Sequence, residues 1–124
     1  MIDIGSLSWN LSPEEQQKNM NNTQITCNDD IKMLILPYRK QDCWKNCATL
    51  LSKLDDTVII NILPELFEWY KDLNWPGIEI IDERIRRLPQ YSVKKALSTA
   101  LVRAKNETDE IWMENLLEFI ADYE

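Results

Sequence analysis

Apolar residues recur along this chain at intervals of three and four positions, the spacing of one face of a helix, and not in the alternation that marks a half-buried strand. SPEE at 12–15 reads as a capping box, with Ser12 as N-cap, Pro13 at the first helical position and Glu15 reaching back, so a short helix is expected to about Met20. Residues 21–28 are polar and lack period, which predicts a loop. The brief apolar run IKMLIL then starts from Asp29 or Asp30 and ends at Pro37. Asp42 is placed to cap CWKNCATLLSKL, where Trp44, Cys47, Leu50, Leu51 and Leu54 form one stripe. Asp55 and Asp56 mark the next helix start.

The stretch ILPELFEWYKDLNWPG, residues 62–77, gathers four aromatic rings and four Leu or Ile side chains around two prolines. Read as one helix, it places Ile62, Leu66, Trp69 and Leu73 on one stripe and Leu63, Phe67 and Tyr70 on a second beside it. Glu65, Glu68 and Asp72 remain as a narrow polar face, so this helix should lie between neighbours on two sides. In NWPG, Asn74 is expected to take the left-handed position past the helix end, Trp75 is held extended by Pro76, and Pro76 begins the next helix. Further stripes follow: Ile78, Ile81, Ile85 and Leu88; then Val93, Leu97, Ala100, Leu101 and Ala104; then, from about Thr108, Trp112, Met113, Leu116, Phe119, Ile120 and Tyr123.

Connections of a few residues make successive helices antiparallel neighbours. The expected fold is all-α: antiparallel helical hairpins stacked in a HEAT-like or α-solenoid-like bundle of about five to seven helices. One domain covers 1–124, with an N-terminal arm over 1–28 and the helical stack over 29–124.

A length of 124 residues suits one core, and 44% hydrophobic with 28% charged residues is ordinary for a soluble globular domain. The opening MIDIGSLSWNLSPEEQQ lacks a basic region followed by an apolar run, and no stretch reaches the roughly 20 apolar residues of a spanning helix. A cytoplasmic monomer is expected. Three cysteines without a dense spacing suit a reducing compartment. A net charge of −7 opposes binding to phosphate backbones and anionic membranes, and favours a basic protein as partner.

Candidate chemistry is sparse. Histidine is absent, which removes the commonest general base and metal ligand, and two glycines make no phosphate-cradling loop. Cys43 and Cys47 stand at i, i+4, yet a zinc site needs about four ligands, and small buried hydrophobes beside Trp44 is the simpler reading. The acidic pairs Asp29-Asp30, Asp55-Asp56 and Asp109-Glu110 sit at helix starts, where capping and the dipole account for them. Asp82 and Glu83 pair with Arg86 and Arg87 along a helix, so the cluster Arg84, Arg86 and Arg87 reads as a solvated face. No catalytic, cofactor or metal site is expected, and the aromatic-rich stretch reads as scaffold.

The last helix is the exception. From 106 to 124 there are seven acids and no base, and Glu110, Glu114, Glu118 and Asp122 form an i, i+4 ladder. Like charges so spaced oppose a helix by about 0.2–0.5 kcal/mol per pair. Three offsets are open: internal pairing with Lys94, Lys95, Arg103 and Lys105 of the preceding helix, solvation alone, or a basic partner. Ile111 falls within the acidic face, as an apolar anchor ringed by carboxylates would. The candidate partner-binding set is Glu107, Glu110, Ile111, Glu114, Glu118 and Asp122.

ILPELFEWYKDLNWPG, preceded by LPYRKQD and followed by DEIWMENLLEFI, resembles a small bacterial family of unknown function built from HEAT-like helical pairs, with an LPELLEW-x-x-D-x-NWP core and a late D-E-x-W helix. The resemblance spans about residues 34–122 and leaves the N-terminal arm outside. It implies an association with immunity proteins, the cytosolic antitoxins that protect bacteria from polymorphic or contact-delivered toxins, and it supplies no catalytic residues. The implied function is a non-enzymatic immunity protein that binds a cognate toxin, a basic nuclease domain, through its acidic surface. The alternative is a HEAT-like adaptor or regulatory module with a different protein partner.

Overall fold

The computed structural model describes residues 2–123, and these are all-helical, with eight α-helices and no strand. The helices are α1 (Pro13–Asn22), α2 (Asn28–Met33), α3 (Gln41–Ser52), α4 (Asp56–Asn61), α5 (Leu63–Leu66), α6 (Ile78–Arg86), α7 (Gln90–Asn106) and α8 (Glu110–Tyr123), joined by two 3-10 helices, Ile4–Leu7 and Phe67–Lys71. No helix among the described residues is long and apolar enough to cross a membrane.

Local signals set several of these boundaries. The Glu15 N–H donates to Ser12 Oγ at 3.1 Å, and Pro13 opens α1. Asp42, in contrast, lies inside the first turn of α3, behind Lys40 at the cap position. Its backbone carbonyl accepts from the Trp9 N–H at 2.9 Å, and the Ser8 hydroxyl holds its carboxyl below the ordinary range. Asp42 thus ties the N-terminal segment to α3. The 3-10 helix Ile4–Leu7 packs on α1 and α3, burying Ile2, Ile4 and Leu7, and Asn46 Nδ2 donates to the Leu7 carbonyl at 2.8 Å. Ile2, Ile4 and Leu7 of the N-terminal arm therefore contribute to the core.

The aromatic stretch is not one helix. After Leu66 it tightens into the 3-10 helix Phe67–Lys71, and Asp72 is extended. The tightening has a partner: the carbonyls of Phe67 and Tyr70 accept from Trp112 Nε1 at 2.9 Å and from Asn115 Nδ2 at 2.8 Å, both on α8. Phe67, Trp69 and Tyr70 are all buried, whereas Leu73 falls beyond the helix end and is 43% exposed instead of lining the core.

The NWP corner also departs from expectation. Gly77, not Asn74, takes the left-handed conformation, with φ at 90°. The Asn74 N–H instead donates to Asp72 Oδ1 at 2.8 Å, and Trp69 Nε1 donates to the Pro76 carbonyl at 2.8 Å. A Cβ on Gly77 would stand 2.7 Å from Ala48 Cβ and 3.0 Å from the Trp44 carbonyl oxygen. Glycine therefore lets α6 seat against α3 at close range.

Arg84 corrects the reading of a solvated basic face, because its side chain is buried at 6% exposure. Its Nε donates to the Ser52 carbonyl and its Nη2 to the Leu54 carbonyl, each at 3.0 Å, and it pairs with Asp56. A guanidinium at these carbonyls satisfies the C-terminal end of α3 and complements its dipole. The expected Asp82–Arg86 pair is present at 2.9 Å.

Helices α7 and α8 form a hairpin whose corner is a Schellman motif. The Thr108 N–H donates to the Lys105 carbonyl at 3.1 Å and the Asp109 N–H to the Ala104 carbonyl at 3.0 Å, with Thr108 left-handed at φ 51°. Asp109 then caps α8, its Oδ1 accepting from the Trp112 N–H at 3.0 Å. Val93, Leu97, Ala100 and Ala104 of α7 face Trp112, Leu116 and Phe119 of α8 within one continuous apolar core that also takes in α3, α5 and α6.

Candidate functional site

The apolar side of α8 is fixed by Trp112, Leu116 and Phe119, so the opposite side must face solvent. Glu110, Ile111, Glu114, Leu117, Glu118, Ala121 and Asp122 are exposed there, with Ile111 at 64% and Leu117 at 53%. Leu117 was not among the expected anchors. It lies on the flank of the glutamate stripe away from Ile111, so the face is acidic along its centre with an apolar residue on each side.

The six expected partner-binding residues do not share one environment. Glu107 stands outside α8, at the end of α7, and pairs with Arg103 at 3.4 Å and Lys71 at 3.5 Å. Glu68 joins the same cluster, 3.6 Å from Lys71 and 3.5 Å from Arg103, and both cations lie over the Trp112 ring, at 4.6 and 5.4 Å. Asp122, at the other end, pairs with Arg86 at 3.3 Å. Between these ends, Glu110, Glu114 and Glu118 make no ion pair among the described residues. Of the four internal cations considered, Arg103 reaches the acidic series through Glu107. Lys71 and Arg86 come from the 3-10 helix and α6, and no periodicity argument marks them as partners of α8.

The face continues into a cleft of about 570 Å³, walled by α6, the turn after the 3-10 helix and the C-terminal half of α8. Tyr70, Leu73, Ile78 and Phe119 give it an apolar floor. Along one wall runs a chain of polar contacts. The Tyr70 hydroxyl donates to Asp82 Oδ1 at 2.5 Å, and Arg86 Nε donates to Asp82 Oδ2 at 2.9 Å. Arg86 also reaches Asp122, and its guanidinium lies 4.4 Å from the Phe119 ring centre. Burial first, and then the bond to Asp82, push the Tyr70 hydroxyl well above its ordinary range, so it stays protonated and donating. The bond to Asp82 likewise raises Arg86, so its guanidinium stays charged. This wall is a fixed scaffold with its internal valences satisfied.

Cys43 and Cys47 are buried and Cys27 is exposed. Burial pushes the Cys43 thiol up to about 11 and the Cys47 thiol up to about 12, so both behave as small hydrophobes at neutral pH. No group of three or more potential ligating side chains comes together among the described residues.

No curated protein and no solved structure matches the chain. A family model does match, over residues 35–124, from the turn before α3 through α8, and it takes in the outer face of α8 and the whole cleft. By that match the chain belongs to the DUF5071 family, a domain of unknown function.

Proposed function

We propose that this chain is a non-enzymatic immunity protein that neutralises a basic toxin domain by binding it through the outer face of α8. The observation that supports this reading is the state of the acidic ladder. Asp122 at its C-terminal end is held by Arg86, and Glu107 just before it is held by Lys71 and Arg103, while Glu110, Glu114 and Glu118 stand exposed between Ile111 and Leu117 with no ion pair among the described residues. A carboxylate stripe that opposes its own helix and has no internal counter-charge suits a cationic surface brought by a partner. Its field would set association rate and specificity, and burial of Ile111 and Leu117 would lengthen the lifetime of the complex. A basic nuclease domain is the fitting target, because a groove built to hold phosphates presents the opposite charge and is blocked when this face covers it. The designation as immunity protein rests on the family resemblance of the 62–77 core and the late acidic helix; the acidic face itself supports protein binding.

The test is capture from the native host with the wild-type chain, identification of the bound protein, and titration of that purified protein against wild type and the triple variant Glu110→Gln, Glu114→Gln, Glu118→Gln. The expected partner is a basic toxin domain whose growth inhibition is relieved by co-expression of the wild type. Its Kd should rise at least tenfold for the variant, and its salt dependence should fall. Equal affinity for the two forms would remove the acidic face from the reading, and a bound protein without toxicity would favour the adaptor alternative.

A further inference from the structure

We propose that the cleft beside α8 is a socket for one basic side chain, arginine or lysine, carried by the bound protein. The inference rests on the reading of α8 as the partner-facing helix and names what that partner inserts. Four carboxylates line the cleft, Glu79, Asp82, Glu118 and Asp122, against one cation, Arg86. Arg86 is already engaged by Asp82 and Asp122, whereas Glu79 and Glu118 are exposed, from facing helices, without an ion pair among the described residues.

The chemistry of the lining narrows the occupant. An anion would meet a net negative wall, and a neutral apolar group would desolvate two carboxylates without replacing their water. A side chain with an aliphatic stem and a cationic head meets both demands, its stem on Leu73 and Ile78 and its head toward Glu79 and Glu118. The half-exposed Leu73, turned outward by the extended Asp72, is the apolar contact such a stem needs. A volume of about 570 Å³ lies inside the range of roughly 300–1,000 Å³ usual for binding clefts. The Tyr70–Asp82–Arg86 chain holds the far wall rigid, so little ordering is needed on binding. The occupant is assigned to a protein segment because Glu118 belongs both to the cleft and to the exposed face of α8, so one partner surface covers both.

The experiment is an amide-shift NMR titration of the full chain with a capped glycine-flanked peptide bearing one central arginine, with the same peptide bearing neutral citrulline, and with spermidine. The arginine peptide should shift Leu73, Ile78 and Glu118. The citrulline peptide should bind at least fivefold more weakly, as should the arginine peptide to Glu79→Gln and to Leu73→Ser. Equal shifts from citrulline, unchanged binding in Glu79→Gln, or spermidine bound as tightly as the arginine peptide would each overturn the proposal. Glu110 and Glu114 do not line the cleft, so the two readings fail separately. Unchanged partner affinity in Glu110→Gln, Glu114→Gln removes the α8 reading, and unchanged arginine-peptide binding in Glu79→Gln removes the socket.

Discussion

Neutralising Glu114 and Glu118 together should make this protein more stable, not less. The two substitutions to Gln abolish three like-charge i, i+4 contacts, Glu110–Glu114, Glu114–Glu118 and Glu118–Asp122, each worth about 0.2–0.5 kcal/mol of destabilisation. They break no ion pair among the described residues, because Asp122 keeps Arg86 and Glu107 keeps Arg103 and Lys71. Glu110 is left in place since it opens α8, where an acid complements the dipole. Gln and Glu have similar helix propensity, so the gain is electrostatic and amounts to about 0.6–1.5 kcal/mol. For a domain of this size that is a rise in Tm of about 2–6 °C. Urea unfolding followed by far-UV circular dichroism at low ionic strength should show a higher midpoint at constant slope, and the gain should shrink in 0.5 M salt. A lower midpoint would show that these carboxylates are paired within the fold, and the case for an outward-facing ladder would fail with it. Stability given up on a surface that contacts nothing internal is the trade-off expected of residues kept for binding.

Two further substitutions probe the scaffold behind the site. Arg84→Met should cost about 2–4 kcal/mol, because the carbonyls of Ser52 and Leu54 lose their donor and Asp56 its counter-charge. A loss under about 0.5 kcal/mol in the urea midpoint would return Arg84 to the status of a surface residue. Gly77→Ala should cost about 2–5 kcal/mol, from the left-handed φ of 90° and a Cβ placed 2.7 Å from Ala48. A thermal melt unchanged within 1–2 °C, well below the shift such a cost implies, would mean that α6 can move off α3 freely.

Most helices were legible from periodicity alone. The stripes Ile78, Ile81, Ile85 and Val93, Leu97, Ala100 are buried as their spacing requires, and Ser12 and Pro13 start α1 by local chemistry that needs no neighbour. The central stretch was not legible, because the spacing of its rings fits a regular helix equally well. What tightens it is the demand of Trp112 and Asn115, more than 40 residues away in sequence, for the carbonyls of Phe67 and Tyr70. Arg84 was misread for the same reason: its acceptors, Ser52 and Leu54, are reached only once α6 lies on α3.

The acidic ladder belongs to the sequence, since charge at four-residue intervals lands on one face of any helix that forms there. Its division into a held and an exposed part does not. Arg86 reaches Asp122 across the cleft between α6 and α8, Lys71 reaches Glu107 because the 3-10 helix packs against α7 and α8, and the cleft exists only where α6, the turn after the 3-10 helix and α8 fail to close. Helical periodicity is a property of neighbours along the chain, so one sequence can state it. Which charges are neutralised depends on distances between elements, and those are set by how the core packs.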